Sequence, residues 1–164
     1  MTTENADRGF REMRRQDRAM TSEDAEAILR RGEWGVLSMV DGAGDPYGVP
    51  ISYVYEGDTI YLHCALEGRK VDALRCHPVV SFCVVDRATT LPERFSVDLA
   101  SVIVCGEATE VTGDRKQLAL STLIAKYSPD FVTEGEAYIA SASDKTMVVE
   151  IAIERITGKA RQRP

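Results

Sequence analysis

A histidine, a glycine and two adjacent cations lie close together in the middle of the chain. His63 ends an apolar run that is typical of a strand, Gly68 follows it, and Arg69 and Lys70 begin a helix-like stretch. The first amides of a helix have no partner within the helix and carry the positive end of its dipole, so they attract anions. A guanidinium can also bind a phosphate through two hydrogen bonds. The pattern indicates a phosphate site, although such a pair more often just starts a surface helix.

His63 admits more than one role. If Arg69 and Lys70 bind a phosphate, His63 lies within reach of the rest of that ligand, where an imidazole can transfer a proton or ligate a metal. A histidine at the rim of a sheet can equally be a structural residue that forms a hydrogen bond. The residue types alone do not choose between these roles.

The second candidate region is the strand-like segment Val49, Pro50, Ile51 and Ser52. Proline has no amide hydrogen to donate to a neighbouring strand, so Pro50 predicts that this strand lies at a sheet edge or is bulged. The unpaired backbone groups of an edge strand could bind the polar edge of a planar heterocycle. The alternative is an edge strand that proline protects from aggregation, and the two interpretations are compatible.

The composition is that of an ordinary globular protein and argues against several classes. The chain has 164 residues, enough for one domain with a real core, of which 44% are apolar and 28% charged. Its net charge of -6 argues against a nucleic-acid partner. It contains no apolar run long enough to cross a membrane, and its polar start does not resemble a signal peptide. We therefore expect a cytoplasmic protein with no membrane partner.

The sequence also lacks the common catalytic motifs. It contains no serine-hydrolase elbow, no P-loop and no Gly-x-Gly-x-x-Gly turn. A single phosphate-like site with few catalytic side chains is typical of a protein whose cofactor carries the reaction. Neither a disulfide framework nor a metal site is expected, because the cysteines are scattered without a Cys-x-x-Cys pair; they are Cys64, Cys76, Cys83 and Cys105.

The chain divides into an N-terminal arm, residues 1–18, and a single domain, residues 19–164. The arm is rich in charged residues and has little apolar pattern. A helix is predicted over Ser22–Arg31, because Thr21 and Asp24 form a variant of the capping box at its start.

The remaining elements follow from turn residues and apolar periodicity. Three successive strands, joined by short turns, predict an antiparallel meander over 34–41, 47–56 and 59–64. The next elements are a helix over 68–76, an apolar strand over 79–85, a polar connection over 86–99, and a strand over 100–111 with a bulge indicated by Gly106. Helices over 114–127 and near 134–142 precede a last strand over 146–156.

Six strands in mostly sequential order, with three or four helices, favour a small antiparallel barrel that is mainly β with peripheral helices. The strand over 79–86 has no polar face. Both of its faces must therefore be covered, either by helices or by a second subunit.

Several segments together resemble the nitroimidazole-resistance (Nim) branch of the pyridoxamine 5'-phosphate oxidase-like flavoproteins. The most specific segment is the His-x-Ala-x-x-Gly-Arg-Lys pattern of residues 63–70, and the resemblance extends from Met13 to Lys159. Supporting segments are 13–18, 48–55, 101–106 and 156–159.

The resemblance implies a split β-barrel and a homodimer with FMN bound at the subunit interface. Arg69 and Lys70 would bind the FMN phosphate, the segment 49–52 would line the isoalloxazine, and Ser101 with Val102 would approach from the partner subunit. The implied cofactor-binding residues are Val49, Pro50, Ile51, Ser52, His63, Ala65, Gly68, Arg69, Lys70, Ser101, Val102 and Lys159.

The function that the resemblance implies is an FMN-dependent, nitroreductase-like oxidoreductase that passes electrons from a reduced nicotinamide to a small planar acceptor. His63 would be its catalytic residue and would supply a proton. The terminal residues with which a true pyridoxamine 5'-phosphate oxidase binds substrate are not recognisable, so vitamin B6 synthesis is not expected. Leu99 also stands where the family often has an aromatic residue. The alternative function is a non-catalytic barrel that binds haem or another ligand.

Overall fold

The computed structural model describes residues 10–161, which form one seven-stranded antiparallel sheet surrounded by helices. The first nine residues of the predicted arm and the last three of the predicted domain lie outside the described residues. The main elements are α1 Ser22–Arg31, β1 Trp34–Val40, β2 Pro46–Ser52, β3 Val54–Glu56, β4 Thr59–Ala65, α2 Arg69–Cys76, β5 Val79–Leu91, β6 Ser96–Val111, α3 Gly113–Tyr127, α4 Val132–Ala142 and β7 Thr146–Ala160. Short 3₁₀ helices cover Gln16–Arg18, Pro92–Arg94, Pro129–Phe131 and Ser143–Lys145.

The sheet order is β2-β1-β5-β6-β7-β4-β3, so the predicted barrel class is confirmed while the predicted meander is wrong. The segment predicted as one strand over 47–56 breaks at Tyr53, and its halves, β2 and β3, lie at opposite ends of the sheet order. In the described chain, β2 and β4 approach each other without pairing, which leaves the barrel split between them.

The break at Tyr53 is stabilised by contacts that come from distant parts of the chain. The Tyr53 ring is buried edge-on against Phe82, with ring centroids 4.9 Å apart, and its hydroxyl donates to the carbonyl of Leu29 at 2.8 Å. The Tyr53 amide donates to the Tyr127 hydroxyl at 2.9 Å, and Lys126 Nζ donates to the Tyr53 carbonyl at 2.8 Å. Helix α3 therefore satisfies the backbone groups that leave the sheet here.

The predicted polar connection over 86–99 is also wrong, because β5 and β6 continue as a long hairpin. Their pairing runs on from Arg87 opposite Ala100 to Leu91 opposite Ser96, after a register shift that follows Val85. Pro92 lies in the 3₁₀ turn that joins the strands. Most of this ribbon is exposed, so it lacks the apolar alternation by which a half-buried strand is recognised.

Two groups of apolar side chains pack the sheet from either side. The interior of the barrel holds Leu37, Leu62, Phe82, Val102 and Val104, all with no measurable exposure. A second, smaller core lies between the sheet and helices α3 and α4; its buried residues include Leu120, Leu123, Ile139 and Val148.

One face of β5 is left open in the described chain. Val80, Phe82 and Val84 point into the core, whereas Val79 and Val85 on the opposite face are 45% and 55% exposed. The helices therefore do not cover this face. Neighbouring strands continue the exposed apolar surface, which we call the open face; it includes Trp34, Val36, Val79, Val85 and Ile103.

Gly106→Ala is expected to destabilise the protein by roughly 1–3 kcal/mol, the range for overpacking. A Cβ at Gly106, where the predicted bulge is present as a register shift, would lie 2.2 Å from the carbonyl oxygen of Ala152. The backbone of β7 at Ala152 is paired with β6, so it could move away only by breaking hydrogen bonds of the sheet. Urea unfolding should show the loss, whereas Gly48→Ala is the control because its Cβ would meet Val36 at an ordinary 3.6 Å. Equal stability of the two variants would contradict this packing.

Candidate functional site

The start of helix α2 presents an open, uncapped set of amides. Gly68 has φ 120°, a conformation that L side chains rarely adopt, and a Cβ built there would have no heavy atom within 4 Å. The first helical bond at this end joins the Asp72 amide to the Gly68 carbonyl at 3.0 Å. The amides of residues 69–71 precede that bond, so they have no partner within the helix and can receive an anion.

Arg69 is held at this helix start by the β1–β2 turn. Its Nη2 and Nε donate to Asp41 Oδ2 at 2.8 and 3.3 Å, and its guanidinium lies 4.4 Å from the centre of the Tyr47 ring. A guanidinium carries five N–H donors, so these contacts fix its position and leave three donors for a ligand. The side chain remains 54% exposed.

Asp41 is itself fixed by the turn that it begins. Its Oδ1 accepts from the amides of Ala43 and Asp45, each at 3.0 Å, which leaves Oδ2 for Arg69. The bond from Arg69, with the Asp45 amide adding to it, holds the pKa of the Asp41 carboxyl below its usual range. Asp41 and Tyr47 were not predicted as site residues, because their contact with Arg69 joins parts of the chain that only the fold brings together.

His63 is an exposed residue on the outer face of β4, beside helices α3 and α4. It lines a small cavity of about 130 Å³ together with Leu120, Leu123, Ile124, Tyr138 and Thr146 among others. The imidazole forms no hydrogen bond with any residue between 10 and 161. Desolvation by the surrounding side chains, with nearby Lys70 adding to it, lowers the pKa of His63. At neutral pH the ring is therefore mainly uncharged.

A lowered histidine pKa predicts a specific pH dependence of stability. The unfolded chain binds a proton at His63 more readily than the folded chain, so the free energy of unfolding falls as pH drops through 6.5 towards the folded pKa. We expect thermal unfolding between pH 7.5 and 5 to show a smaller loss for His63→Gln than for the wild type. His77→Gln, at the exposed end of α2, is the matched control. If wild type and His63→Gln lost the same stability over this pH range, the claim that desolvation lowers the pKa of His63 would be refuted.

The predicted edge strand around Pro50 is present, since β2 ends the sheet order. Along it, Val49 and Ile51 pack with the barrel core, and the exposed Pro50 and partly buried Ser52 alternate with them. In the described chain β2 pairs only with β1, so the backbone groups of its other edge are available to a ligand. This edge follows the turn that holds Arg69.

The remaining predicted residues do not join this group within one protomer. Ser101 and Lys159 lie opposite each other on β6 and β7, and both line a different cavity, one that the N-terminal arm helps to form. Val102 is completely buried in the barrel, so its side chain cannot contact a ligand on the outer face. Ala65, by contrast, is exposed at the end of β4, just before the start of α2.

Within residues 10–161, no cluster of three or more histidine, cysteine, aspartate or glutamate side chains could hold a metal ion. None of the helices described is long and apolar enough to span a membrane.

The fold recurs in solved structures of low sequence identity. A conserved hypothetical protein of Mycobacterium tuberculosis has a TM-score of 0.78 at 20% identity, with 91% of this chain and 90% of that chain covered. A FAD and haem binding protein of Mycobacterium smegmatis has a TM-score of 0.75 at 18% identity, with 87% and 72% covered. A candidate 5-nitroimidazole antibiotic resistance protein of Bacteroides thetaiotaomicron has a TM-score of 0.71 at 21% identity, with 86% and 85% covered.

The sequence itself carries the family assignment. An uncharacterised protein of Rhizobium meliloti strain 1021 is 28% identical over 94 residues, and the match spans 57% of each protein. The family described as pyridoxamine 5'-phosphate oxidase matches residues 21–160, from the start of α1 to the end of β7. With nearly all of its helices and strands inside that match, this chain belongs to the pyridoxamine 5'-phosphate oxidase family.

Proposed function

We propose that the protein is an FMN-dependent oxidoreductase whose FMN phosphate binds at the start of helix α2. The observation that carries the proposal is the arrangement there: unpartnered amides after an open Gly68, with Arg69 held in place and Lys70 beside it. Two comparisons favour a flavin over another phosphorylated ligand. The chain belongs to a family named after an oxidase, and the structural neighbour from Mycobacterium smegmatis binds FAD.

The residues of the site fit the chemical groups of FMN. A phosphate dianion needs several donors, and the first turn of α2 offers backbone amides, a guanidinium and an ammonium together. An isoalloxazine has donors and acceptors along one polar edge, which suits the unpaired edge of β2. Bound there, the flavin would supply hydride and single-electron transfer, chemistry that protein side chains lack.

His63 is the best candidate for proton transfer to the acceptor. Its imidazole has no described hydrogen-bond partner and borders both a small apolar cavity and Lys70. A lowered pKa makes the protonated form scarcer at neutral pH but a stronger acid. Leucines and isoleucines of α3 and α4 line the cavity beside the exposed ring, and an acceptor bound there would displace water from that side of the imidazole.

We extend the proposal to a homodimer in which the open face is covered by a second copy. Its exposed side chains include Trp34 at 61% and Val85 at 55%, and apolar patches of this kind usually mark interfaces. Pairing through this face would bring Ser101 and Lys159 of one protomer towards the cofactor of the other. Sedimentation of Val85→Glu should then show a monomer with weakened FMN binding, whereas a dimer that retains FMN would contradict this arrangement.

The acceptor that we favour is small and planar, with a nitro compound as the first to test and a reduced nicotinamide as donor. The cavity beside His63, about 130 Å³, is similar in size to an engineered apolar cavity that binds benzene. The Bacteroides neighbour supports nitro compounds only through its fold, since its identity to this chain is 21%.

Haem binding is the second candidate function. The observation in its favour is the imidazole of His63, which has no described hydrogen-bond partner and could ligate iron. The cavity beside it lies well below the roughly 300–1,000 Å³ of drug-sized pockets, so haem would have to lie outside it.

The absorption spectrum of the purified protein distinguishes the two functions. A flavin gives two bands, in the blue and near ultraviolet, whereas haem gives one intense band near the violet edge. Mass spectrometry of the released cofactor then separates FMN from FAD. We expect FMN; a haem band, or a protein that takes up no flavin when FMN is added, would refute the proposed function.

A further inference from the structure

The N-terminal arm packs against the sheet at a place remote in sequence from the start of α2. Ala19 forms an isolated bridge with Lys159, and the Met20 amide donates to the Gly158 carbonyl at 3.0 Å. Further towards the N-terminus, the Arg155 guanidinium lies 5.1 Å from the centre of the Phe10 ring and donates to the Arg11 carbonyl at 3.4 Å. Residues 10–20 are therefore held along the second half of β7.

A cavity of about 290 Å³ lies between this arm and strands β6 and β7, and we call it the arm cavity. Its size is at the lower end of the range for small-molecule pockets, roughly 300–1,000 Å³. Its lining combines apolar and cationic side chains; the residues that matter here are Phe10, Met13, Ile103, Arg11, Arg155 and Lys159.

The charge of the arm cavity is opposite to that of the whole protein. The chain has a net charge of -6, yet the described residues that line the cavity include three cations and no carboxylate. Among residues 10–161, none of these cations forms an ion pair within 4 Å, whereas seven other arginines of the described chain do, from Arg15 to Arg115. Clustered cations without counter-charges repel one another, and an anion between them relieves that repulsion.

We propose that the arm cavity binds a small aromatic carboxylate. The Phe10 ring and Ile103 would contact the apolar body of such a ligand, and the carboxylate would lie between Arg155 and Arg11. The contacts of Arg155 with described residues use one of its five N–H donors, and a guanidinium can bind a carboxylate through two parallel bonds. This site lies apart from the phosphate site at α2. In the proposed dimer its Ser101 and Lys159 would border the cofactor of the other protomer, so the carboxylate would bind beside the flavin and not in its place.

Two ligands of nearly equal shape test the proposal: 4-nitrobenzoate, which is anionic, and 4-nitrobenzamide, which is neutral. Calorimetric titration of the full chain should show 4-nitrobenzoate binding about 10-fold to 100-fold more tightly, the effect expected of charge-assisted hydrogen bonds. Arg155→Gln and, separately, Arg11→Gln should each remove most of that preference. Two variants are needed because Arg155 also contacts the arm itself.

Arg14→Gln is the matched control, since Arg14 is an exposed arginine of the same arm and does not line the cavity. It should retain the full preference for 4-nitrobenzoate. Three results would overturn the proposal: no binding of 4-nitrobenzoate, equal binding of the two ligands, or an undiminished preference in both Arg155→Gln and Arg11→Gln. Competition between FMN and 4-nitrobenzoate would also overturn it, because the cavity would then belong to the flavin. Loss of FMN binding in Arg69→Glu without loss of 4-nitrobenzoate binding would separate the two sites.

Discussion

Arg69→Glu is expected to weaken FMN binding by about 100-fold or more. Each hydrogen bond to a charged group contributes about 1.5–3 kcal/mol, so loss of the guanidinium alone corresponds to roughly 10-fold to 100-fold. The new carboxylate would also repel the phosphate and lie beside Asp41, which already holds a negative charge at this point. Equilibrium dialysis of FMN against wild type and variant measures the change directly.

Arg75→Glu is the control for this charge reversal, because Arg75 is an exposed arginine in the last turn of the same helix. It should cost about 0.3–1 kcal/mol of stability through the helix dipole and leave FMN affinity nearly unchanged. If Arg75→Glu released FMN as readily as Arg69→Glu, the effect would come from the charge of the helix as a whole and not from a phosphate site at its start.

His63→Ala is expected to slow turnover by about 10²–10⁴-fold while FMN remains bound. The assay follows oxidation of a reduced nicotinamide with a 5-nitroimidazole as acceptor. If protonated His63 supplies the proton, wild-type turnover rises as pH falls towards the folded pKa, which lies below the usual 6.5. The variant should lose that rise, and this distinguishes proton transfer from a purely structural role.

His77→Ala is the matched control because His77 is the only other histidine, at the end of α2. It should retain both the rate and the pH profile. An unchanged turnover in His63→Ala would show that the acceptor obtains its proton from another source, such as solvent. His63 would then only line the cavity.

The sequence predicted local features well where a few adjacent residues determine them. Thr21 caps α1 as expected, with its hydroxyl accepting from the Asp24 amide at 3.1 Å, and Gly68 precedes α2. Pro50 predicted that β2 lies at a sheet edge or is bulged, because a missing amide hydrogen disfavours an interior strand, and the edge position is confirmed.

The errors arose where distant contacts override local pattern. Tyr53 interrupts a segment rich in β-forming residues because Tyr127, Lys126 and Leu29 bind its polar groups from far along the chain. The ribbon beyond Val85 is mostly exposed and contains Pro92, so it was interpreted as a polar connection, yet backbone pairing with β6 maintains it.

The candidate site shows the same division between local and distant information. The cations at 69–70 were recognisable from their position after a glycine, whereas Asp41 and Tyr47, which orient Arg69, were not. The arm cavity was missed as well, because Phe10 and Arg155 meet only when the arm lies along β7.

The most direct measurement is the ratio of affinities for FMN and riboflavin, which differ only by the phosphate. Fluorescence titration of the wild type should give FMN at least about 100-fold tighter binding than riboflavin, since the phosphate adds several charge-assisted bonds. In Arg69→Glu that ratio should fall to about ten or less. Equal affinity of the wild type for both flavins would show that the start of α2 does not bind the phosphate.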